Sequence, residues 1–389
     1  MKKNNSTKLI RSGLNRTEFM ETSEPLFLTS GFVYNSAEEA EDAFKERKKR
    51  FMYSRFGNPT VTMLQDKLAD IEGAEVCWCT STGMAAVFTI FMSQLSSGDR
   101  IVSSKALFGS CQYIITKLLP KYGIEVVLVD GKNIDEWKKK LKKKTKLIFF
   151  ETPSNPCLEL IDIKEVSKVA HKSGAKVIVD NVFATPVLQK PIALGADIVM
   201  YSATKHIDGQ GRVLGGAILG KKKFCDEIIK PFIRNTGPSI SPFNAWILLK
   251  SLETLELRIN QQVENAKKIV SFLQDHEKIK KVLYPWSEDF PQYKLAKKQM
   301  LSGGSIVSFE LKNKSKMQTF KFLNKLKMIN ISNNLGDTKS LITHPSTTTH
   351  CRLSKSEKTE LGISENLVRL SVGLECSEDI IKDIEKGLR

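Results

Sequence analysis

The chain has 389 residues, of which 41% are hydrophobic, and its 60 Lys and Arg against 43 Asp and Glu give a formal net charge of +17. This apolar share predicts a core of two or three packed units and excludes a mainly disordered chain. No apolar run approaches the roughly 20 residues of a membrane span, and the basic N-terminus lacks the apolar stretch of a signal peptide, so we expect a cytoplasmic protein without a membrane partner.

Residues 1–60 show little periodicity and predict an N-terminal arm. From residue 61 onward, segments with helical spacing alternate with short apolar segments. Strands are predicted at 76–79, 100–103, 125–129, 147–151, 176–180, 197–202 and 215–219, and helices at 63–72, 83–95, 110–121 and 163–173. This alternation is typical of βαβ units, so we predict an α/β fold whose mostly parallel sheet has helices on both faces.

The pattern changes near residues 238–242. Residues 243–275 predict one long helix, which a kink could interrupt, and strand signals follow at 304–311, 328–332 and 367–372. These elements predict a smaller α+β unit. We therefore divide the chain into the arm at 1–60, a large domain at 61–242 and a C-terminal domain at 243–389.

The densest run of basic residues, KKKLKKKTK at 138–146, directly precedes a predicted strand. Nucleic-acid-binding proteins concentrate basic residues in a patch or motif and place aromatic residues among them for stacking, but the lysines here are spread along helical segments. We interpret the run as a solvated helix end and expect no nucleic-acid partner. The general positive potential would attract anionic cofactors and substrates.

Cysteine and histidine spacings do not predict a metal site. The seven cysteines are scattered without a CxxC pair, so we expect reduced thiols, with Cys77 and Cys79 on one face of a strand. His344 and His350 have a spacing that matches no established ligand geometry. We expect the segment that holds them to order a loop at the rim of the active site.

The strongest chemical signal is YSATKH at 201–206, at the end of a predicted strand. The carboxyl edge of a parallel sheet is where such folds bind ligands. The amine of Lys205 can condense with the aldehyde of pyridoxal phosphate, and the hydroxyls of Ser202 and Thr204 can donate hydrogen bonds to the phosphate. The motif is short, and an exposed lysine after a strand is the common alternative.

Two further segments fit the same cofactor. Asp180 ends the apolar strand VIVD, where its carboxylate can keep a pyridine nitrogen protonated, although an aspartate in such a place often only caps a helix. The turn STGMAA at 81–86 opens a helix, whose backbone N–H groups can bind phosphate. By contrast, GQG at 209–211 lacks the third glycine of a dinucleotide fingerprint and predicts only a loop.

Three more segments accompany these motifs: YSRFGNPT at 53–60, ETPSNP at 151–156 and NLVRLSVG at 366–373. From about residue 17 to the C-terminus, the chain resembles the Cys/Met-metabolism family of fold-type I pyridoxal-phosphate enzymes. The resemblance implies a mostly parallel sheet of the seven-stranded type with a smaller C-terminal α+β domain. It also implies pyridoxal 5'-phosphate bound to Lys205 and a homotetramer built from catalytic dimers.

The resemblance assigns roles around the cofactor phosphate. Tyr53 and Arg55 would reach the phosphate from a neighbouring subunit, and the planar fork of an arginine suits a phosphate edge. The alternative is that both belong to a surface arm. Gly83 and Met84 would supply backbone N–H groups.

The resemblance also assigns the substrate side of the site. Asn155 would lie near the phenolic oxygen of the cofactor and the substrate carboxylate, Asn334 would contact the substrate, and Arg369 would clamp the carboxylate. An arginine in an apolar strand is costly unless it is paired, so a structural ion pair is the alternative for Arg369.

Three departures from the common family pattern select among its members. Phe108 stands where many members have a tyrosine that stacks on the cofactor ring and assists proton transfer in the lyases; phenylalanine can stack but has no proton to give. Residues 333–337 (NNLGD) stand where cystathionine-handling members show Glu-Ser-Leu-Gly, whose glutamate favours the distal ammonium group of that substrate. Residues 208–212 (DGQGR) stand where many members read Gly-Gly-His-Ser-Asp.

Together the departures resemble the branch of the family that performs direct sulfhydrylation. The implied reaction replaces the succinyloxy group of O-succinyl-L-homoserine with sulfide and gives L-homocysteine and succinate, a step of methionine biosynthesis. The alternatives are a methionine or cystathionine γ-lyase, a cystathionine γ-synthase, and O-acetylhomoserine as the donor.

Overall fold

The computed structural model describes residues 4–312 and 315–389, so the first three residues of the predicted arm and residues 313–314 lie outside the described part. Two sheets contain the described strands. The strands are β1 (Val76–Thr80), β2 (Arg100–Ser104), β3 (Glu125–Val129), β4 (Leu147–Glu151), β5 (Lys176–Asp180), β6 (Ile198–Ser202), β7 (Gly216–Gly220), β8 (Ile279–Leu283), β9 (Ile306–Leu311), β10 (Asn330–Ile331), β11 (Leu341–Thr343) and β12 (Leu367–Ser371).

Helices surround both sheets. They are α1 (Asn5–Arg11), α2 (Ala37–Phe44), α3 (Pro59–Glu72), α4 (Gly83–Met92), α5 (Gly109–Tyr113), α6 (Ile134–Lys140), α7 (Ile163–Lys172), α8 (Thr185–Leu188), α9 (Lys222–Phe224), α10 (Lys230–Thr236), α11 (Pro242–Leu252), α12 (Leu255–Asp275), α13 (Tyr293–Gln299), α14 (Lys316–Lys325), α15 (Lys355–Glu360) and α16 (Ser377–Leu388). Among the described helices, none combines the length and apolar character needed to cross a bilayer.

The first sheet has the strand order β1-β7-β6-β5-β4-β2-β3. Strands β3, β2, β4, β5 and β6 pair in parallel, and β7 runs antiparallel to both β6 and β1. The predicted α/β class and mostly parallel sheet are therefore confirmed. Each predicted strand of this sheet begins and ends within one residue of its observed bounds.

The central strands are continuous apolar runs because helices cover both faces of the sheet. In β4, Ile148 and Phe150 belong to one buried cluster, whereas Phe149 points to the opposite face and belongs to another. Successive side chains of a strand alternate between faces, so one short run supplies both cores. The carboxyl ends of β4, β5 and β6 meet at one edge of the sheet, which positions Glu151, Asp180 and Ser202.

The second sheet has the order β10-β11-β12-β9-β8. Strands β8 and β11 were not predicted. Within β8, Lys280 and Lys281 are exposed, as suits an edge strand with little apolar signal, and β11 has only three residues. The helix predicted over 243–275 is interrupted between α11 and α12. The side chain of Arg258 donates a hydrogen bond of 3.0 Å to the carbonyl of Ser251 at the end of α11. This bond gives a partner to a carbonyl that lies where the helix stops.

Helix α12 packs against the buried clusters of both sheets. Its residues up to Val263 join the buried cluster of the first sheet, and those from Ala266 join the cluster of the second. Helix α11 packs against α3, which itself contacts strand β1 of the first sheet. The division of the chain at residue 242 remains a proposal, and α12 is the element that links the two sheets.

The lysine run at 138–146 lies at the surface, as the end of α6 and the turn after it. Lys138 pairs with Asp135 at 2.9 Å, and Lys146 pairs with Asp99 at 2.7 Å. These pairs are solvent-exposed or partly exposed, so each contributes at most about 1 kcal/mol to stability.

Candidate active site

A cavity of about 300 Å³ lies at the carboxyl ends of β4, β5 and β6. It reaches from the start of α4 to β12 of the second sheet. Nine of the residues predicted for the site line it: Gly83, Met84, Phe108, Asn155, Asp180, Ser202, Thr204, Lys205 and Arg369. Residues beside both sheets therefore line one cavity.

Lys205 enters the cavity from the loop that follows β6. Its Nζ donates a hydrogen bond of 2.6 Å to Oδ1 of Asn334. Among the described residues, no carboxylate forms an ion pair with this amine. Burial and, to a smaller degree, the positive charge of Arg369 lower the pKa of Lys205 to about 8. An amine in this state has a neutral form available near neutral pH.

Arg258, which the sequence did not single out, holds the segment after Lys205. Its guanidinium donates to the carbonyl of His206 at 2.8 Å and to that of Ile207 at 3.3 Å. Gly209 has a φ of +69°, and a Cβ there would collide with the Arg258 guanidinium. The loop predicted at 209–211 is therefore confirmed, and the lack of a Cβ at Gly209 leaves room for Arg258, which nothing in the helical spacing of α12 marks.

The start of α4 lies directly against the end of β6. The Thr82 side chain accepts a hydrogen bond of 3.0 Å from the N–H of Ala85, so it caps the helix that this turn was predicted to open. A Cβ at Gly83 would lie 2.6 Å from Cβ of Ser202. Only glycine allows this approach, and it brings the first N–H groups of the helix beside the Ser202 hydroxyl. Donors arranged in this way can bind an anion.

The floor of the cavity carries two carboxyl groups from neighbouring strands. Glu151 and Asp180 are paired in the β4–β5 register. Oδ1 of Asp180 accepts a hydrogen bond of 3.0 Å from the N–H of Val182, and removal from bulk water raises the pKa of Asp180 to about 7. The Sγ of Cys111 lies with the two carboxyl groups, all within 4.8 Å of one another. The sequence missed Glu151 and Cys111, although Glu151 ends its strand as Asp180 does.

Arg369 lies on β12 with 1% of its surface exposed. Its Nη1 donates to Oδ1 of Asn155 at 2.9 Å, and its Nη2 donates to the carbonyls of Asn333 and Asn334 at 2.9 and 3.1 Å. Its Nε has no hydrogen-bond partner, and among the described residues no carboxylate pairs with it. The alternative of a structural ion pair thus finds no support in the described part of the chain. A buried, oriented cation of this kind suits a bound carboxylate.

Phe108 lines the cavity at the beginning of α5. Its backbone N–H donates to Oε1 of Glu151 at 2.5 Å. A Cβ on the following Gly109 would lie 2.8 Å from the carbonyl oxygen of Thr349. The backbone that carries the phenyl ring is therefore held by a hydrogen bond at Phe108 and by close packing at Gly109.

Tyr53 and Arg55 do not line the cavity. The Arg55 guanidinium lies 4.9 Å from the centre of the Phe56 ring and 5.4 Å from that of Tyr53, and Tyr53 is 43% exposed. The arm also exposes large apolar side chains, such as Val33 at 88%. The contact of Tyr53 and Arg55 with a neighbouring subunit stays a prediction.

The histidines of the rim are engaged in local hydrogen bonds. His344 uses Nδ1 toward Thr347 at 2.8 Å and Nε2 toward the carbonyl of Glu365 at 3.0 Å. His350 bonds Thr349 through Nδ1, and burial and the charge of Arg369 lower the pKa of His350 to about 4. Such bonds fit the predicted role in loop ordering. The seven cysteines are free thiols, and Cys77 and Cys79 are buried in one cluster as predicted.

Comparisons with known proteins place this geometry in context. The family model described as "Cys/Met metabolism PLP-dependent enzyme" matches residues 6–389. An O-succinylhomoserine sulfhydrylase of Mycobacterium tuberculosis is 48% identical, covering 97% of this chain and 94% of the relative. An L-methionine gamma-lyase of Fusobacterium nucleatum is 41% identical, covering 98% and 97%. A Campylobacter jejuni structure solved with N'-pyridoxyl-lysine-5'-monophosphate superimposes with a TM-score of 0.94 and 32% identity, covering 99% of this chain and 100% of the other.

Proposed function

This chain belongs to the Cys/Met-metabolism family of pyridoxal-phosphate-dependent enzymes, and we propose that it replaces the succinyloxy group of O-succinyl-L-homoserine with sulfide. The products are L-homocysteine and succinate. The observation that carries the proposal is that Phe108 and Asn333 both line the cavity, so that these two positions offer neither a phenol nor a carboxylate. The sulfhydrylase relative, at 48% identity, supports the same reaction.

The residues present fit pyridoxal phosphate. The cavity of about 300 Å³ has the size of a small cofactor site, the N-terminus of α4 with Ser202 suits the phosphate, and Lys205 provides the amine. Asp180 supplies a carboxylate on the floor for the ring nitrogen. When bound, pyridoxal phosphate supplies an electron-accepting ring that stabilises negative charge at the α-carbon of an attached amino acid.

Arg369 binds the substrate carboxylate in our proposal. Its guanidinium is already oriented by Asn155 and by two backbone carbonyls, so little conformational freedom is lost when the substrate arrives. Of its five N–H groups, the one on Nε and one on Nη1 make no hydrogen bond to the described residues and remain for the carboxylate. Binding there directs the α-carbon toward Lys205, which lines the same cavity.

Lys205 moves the protons. With a pKa of about 8, roughly one in ten of its amines is neutral at pH 7, compared with about one in 2,500 for an ordinary lysine. The neutral amine takes the α-proton. Once it has released that proton it is neutral again and takes a proton from Cβ, which allows succinate to leave Cγ. Sulfide, as HS⁻, forms the new bond at Cγ, and Lys205 returns one proton to Cβ and one to the α-carbon. Asn334 holds the amine within the cavity between these transfers.

The proposal also covers the oligomeric state, the location and the partners of the enzyme. We infer a homotetramer built from catalytic dimers, in which Tyr53 and Arg55 reach the cofactor phosphate of the neighbouring subunit. The exposed apolar side chains of the arm support this arrangement. We place the enzyme in the cytoplasm, in methionine biosynthesis, with small molecules as substrates and with neither nucleic acid nor membrane as a partner.

A second candidate is γ-elimination from methionine, favoured by the 41% identity to an L-methionine gamma-lyase. One product assay separates the candidates: purified enzyme is given O-succinylhomoserine, O-acetylhomoserine or methionine, each with and without sulfide. We expect homocysteine from O-succinylhomoserine with sulfide as the fastest reaction. Release of 2-oxobutyrate and ammonia from methionine at a higher rate would establish the lyase instead. The Lys205→Ala variant serves as the blank.

A further inference from the structure

Glu151 has no role in the chemistry described above, yet it lies beside the carboxylate that the cofactor needs. It pairs with Asp180 in the β4–β5 register, and their carboxyl oxygens lie within 4.8 Å of each other. Glu151 is 5% exposed, and both residues line the cavity. We refer to Glu151 and Asp180 as the carboxyl pair.

The carboxyl pair has no cation of its own. Glu151 accepts from the N–H of Phe108 and Asp180 accepts from the N–H of Val182, and neither forms an ion pair with a described residue. The other titratable groups that face it are the Cys111 thiol, whose pKa is raised well above its usual value by burial, and Lys205 and Arg369 across the cavity. Without a paired cation, two adjacent carboxylates cannot both ionise near neutral pH.

We propose that Glu151 is a positioning residue that keeps one proton in the carboxyl pair, so that the cavity floor presents a single negative charge, on Asp180, to the cofactor. The inference rests on the proposed cofactor site and deepens it. A single charge matches a single protonated ring nitrogen, whereas two charges would leave one carboxylate buried and uncompensated.

Three features place the proton on Glu151 rather than on Asp180. Aspartate is intrinsically the stronger acid. Glu151 is the more buried of the two, and the charge of Asp180 adds to burial in raising the Glu151 pKa well above its usual value. Both carboxyl groups line the cavity, but in the proposed site it is Asp180 that meets the cationic ring nitrogen, which favours its ionised form. Glu151 also links the cavity floor to Phe108, because its Oε1 accepts a hydrogen bond from the Phe108 N–H.

Infrared spectroscopy of the full-length enzyme tests the proposal, because a protonated carboxyl group has a C=O stretching band that a carboxylate lacks. Spectra are recorded above pH 7, where Asp180 and the buried Glu72, each with a pKa of about 7, are mostly ionised. We expect the wild-type band with and without cofactor, and its loss in Glu151→Gln. Glu310→Gln is the matched control, since Glu310 is 9% exposed but pairs with Lys280 at 3.1 Å and should leave the band intact.

Cofactor affinity provides the second measurement. Glutamine is neutral like a protonated glutamate, so Glu151→Gln should bind pyridoxal phosphate within about threefold of the wild type at neutral pH. An affinity changed by about tenfold or more would mean that the substitution removed a charge, and the proposal would be wrong. If the variant fails to fold, the wild-type spectrum decides alone: absence of the band above pH 7 overturns the proposal. Both readouts are independent of which substrate the enzyme uses, so a failed sulfhydrylation assay leaves them decisive.

Discussion

The amine of Lys205 and the amide oxygen of Asn334 are 2.6 Å apart, and this hydrogen bond joins the large sheet to the loop between β10 and β11. The acceptor is uncharged. A carboxylate in the same place would favour the ammonium form of Lys205 and raise its pKa. The neutral amide adds no opposing charge, so burial and the charge of Arg369 lower the pKa of Lys205 to about 8 and leave a base available.

We predict that Asn334→Asp moves the pH dependence of cofactor capture to higher pH. Only the neutral amine reacts with the cofactor aldehyde, so capture by cofactor-free enzyme should rise through about pH 8 in the wild type. The aspartate should raise the midpoint by about one unit and slow capture about tenfold at pH 7. Asn334→Ser, which is neutral, should keep its midpoint near that of the wild type. Equal midpoints for the Asp and Ser variants would contradict the role of Asn334.

We predict that Asp180→Asn still binds cofactor but loses most of its turnover, by about 10²-fold or more. The amide fits the same space beside Val182 but cannot hold the ring nitrogen protonated. Cofactor content per chain and kcat are measured on the same preparation. Turnover close to that of the wild type in the loaded variant would assign Asp180 to a structural role.

We predict that Tyr53 and Arg55 act across a subunit boundary, because both lie outside the cavity of their own chain. Arg55→Ala and Lys205→Ala should each be inactive alone. Mixed oligomers of the two should regain part of the wild-type activity, because one hybrid site in such a dimer holds an intact Arg55 and an intact Lys205. Hybrids that are verified by mass but remain inactive would argue against this arrangement, as would an active monomer.

We predict that Phe108→Tyr increases elimination relative to replacement. After succinate leaves, replacement requires the bound intermediate to persist until sulfide arrives, whereas elimination requires it to be protonated and released. A phenol at this place could supply the proton, and general acid assistance typically contributes ~10²–10⁴-fold in rate. The ratio of 2-oxobutyrate to homocysteine is measured for both forms, with and without sulfide. If a folded, cofactor-loaded variant leaves the ratio unchanged, Phe108 only packs, and Asn333 and Asn334 become the residues to test.

The sequence was sufficient to predict the central strands of the first sheet. Strands β4 and β5 were predicted to the residue, because a strand that is buried on both faces is a continuous apolar run with polar residues at its ends. Strand β8 escaped prediction because Lys280 and Lys281 give an edge strand little apolar signal. The end of helix α6 was predicted from the lysine run at 138–146, which was interpreted as a solvated helix end, but the start of the helix was not.

The site was predictable where its residues lie in short local motifs, such as SATKH at 202–206. Glu151 and Arg258 were not, since their contacts depend on strand register and on a helix packed against the loop after Lys205. Tyr53 and Arg55 mark another limit: a single chain does not contain the surface they are proposed to meet. Motif spacing identified residues that line the cavity, and tertiary packing was needed to find the residues that hold them.

The site is built around Lys205, and chemical trapping tests that claim most directly. Borohydride reduction of the native enzyme fixes the bound cofactor to the lysine that holds it, and peptide mapping by mass spectrometry then identifies that lysine. We predict modification of Lys205 within the SATKH segment, together with loss of the cofactor absorbance and of nearly all turnover in Lys205→Ala. A label on any other lysine of the native enzyme would contradict the assignment.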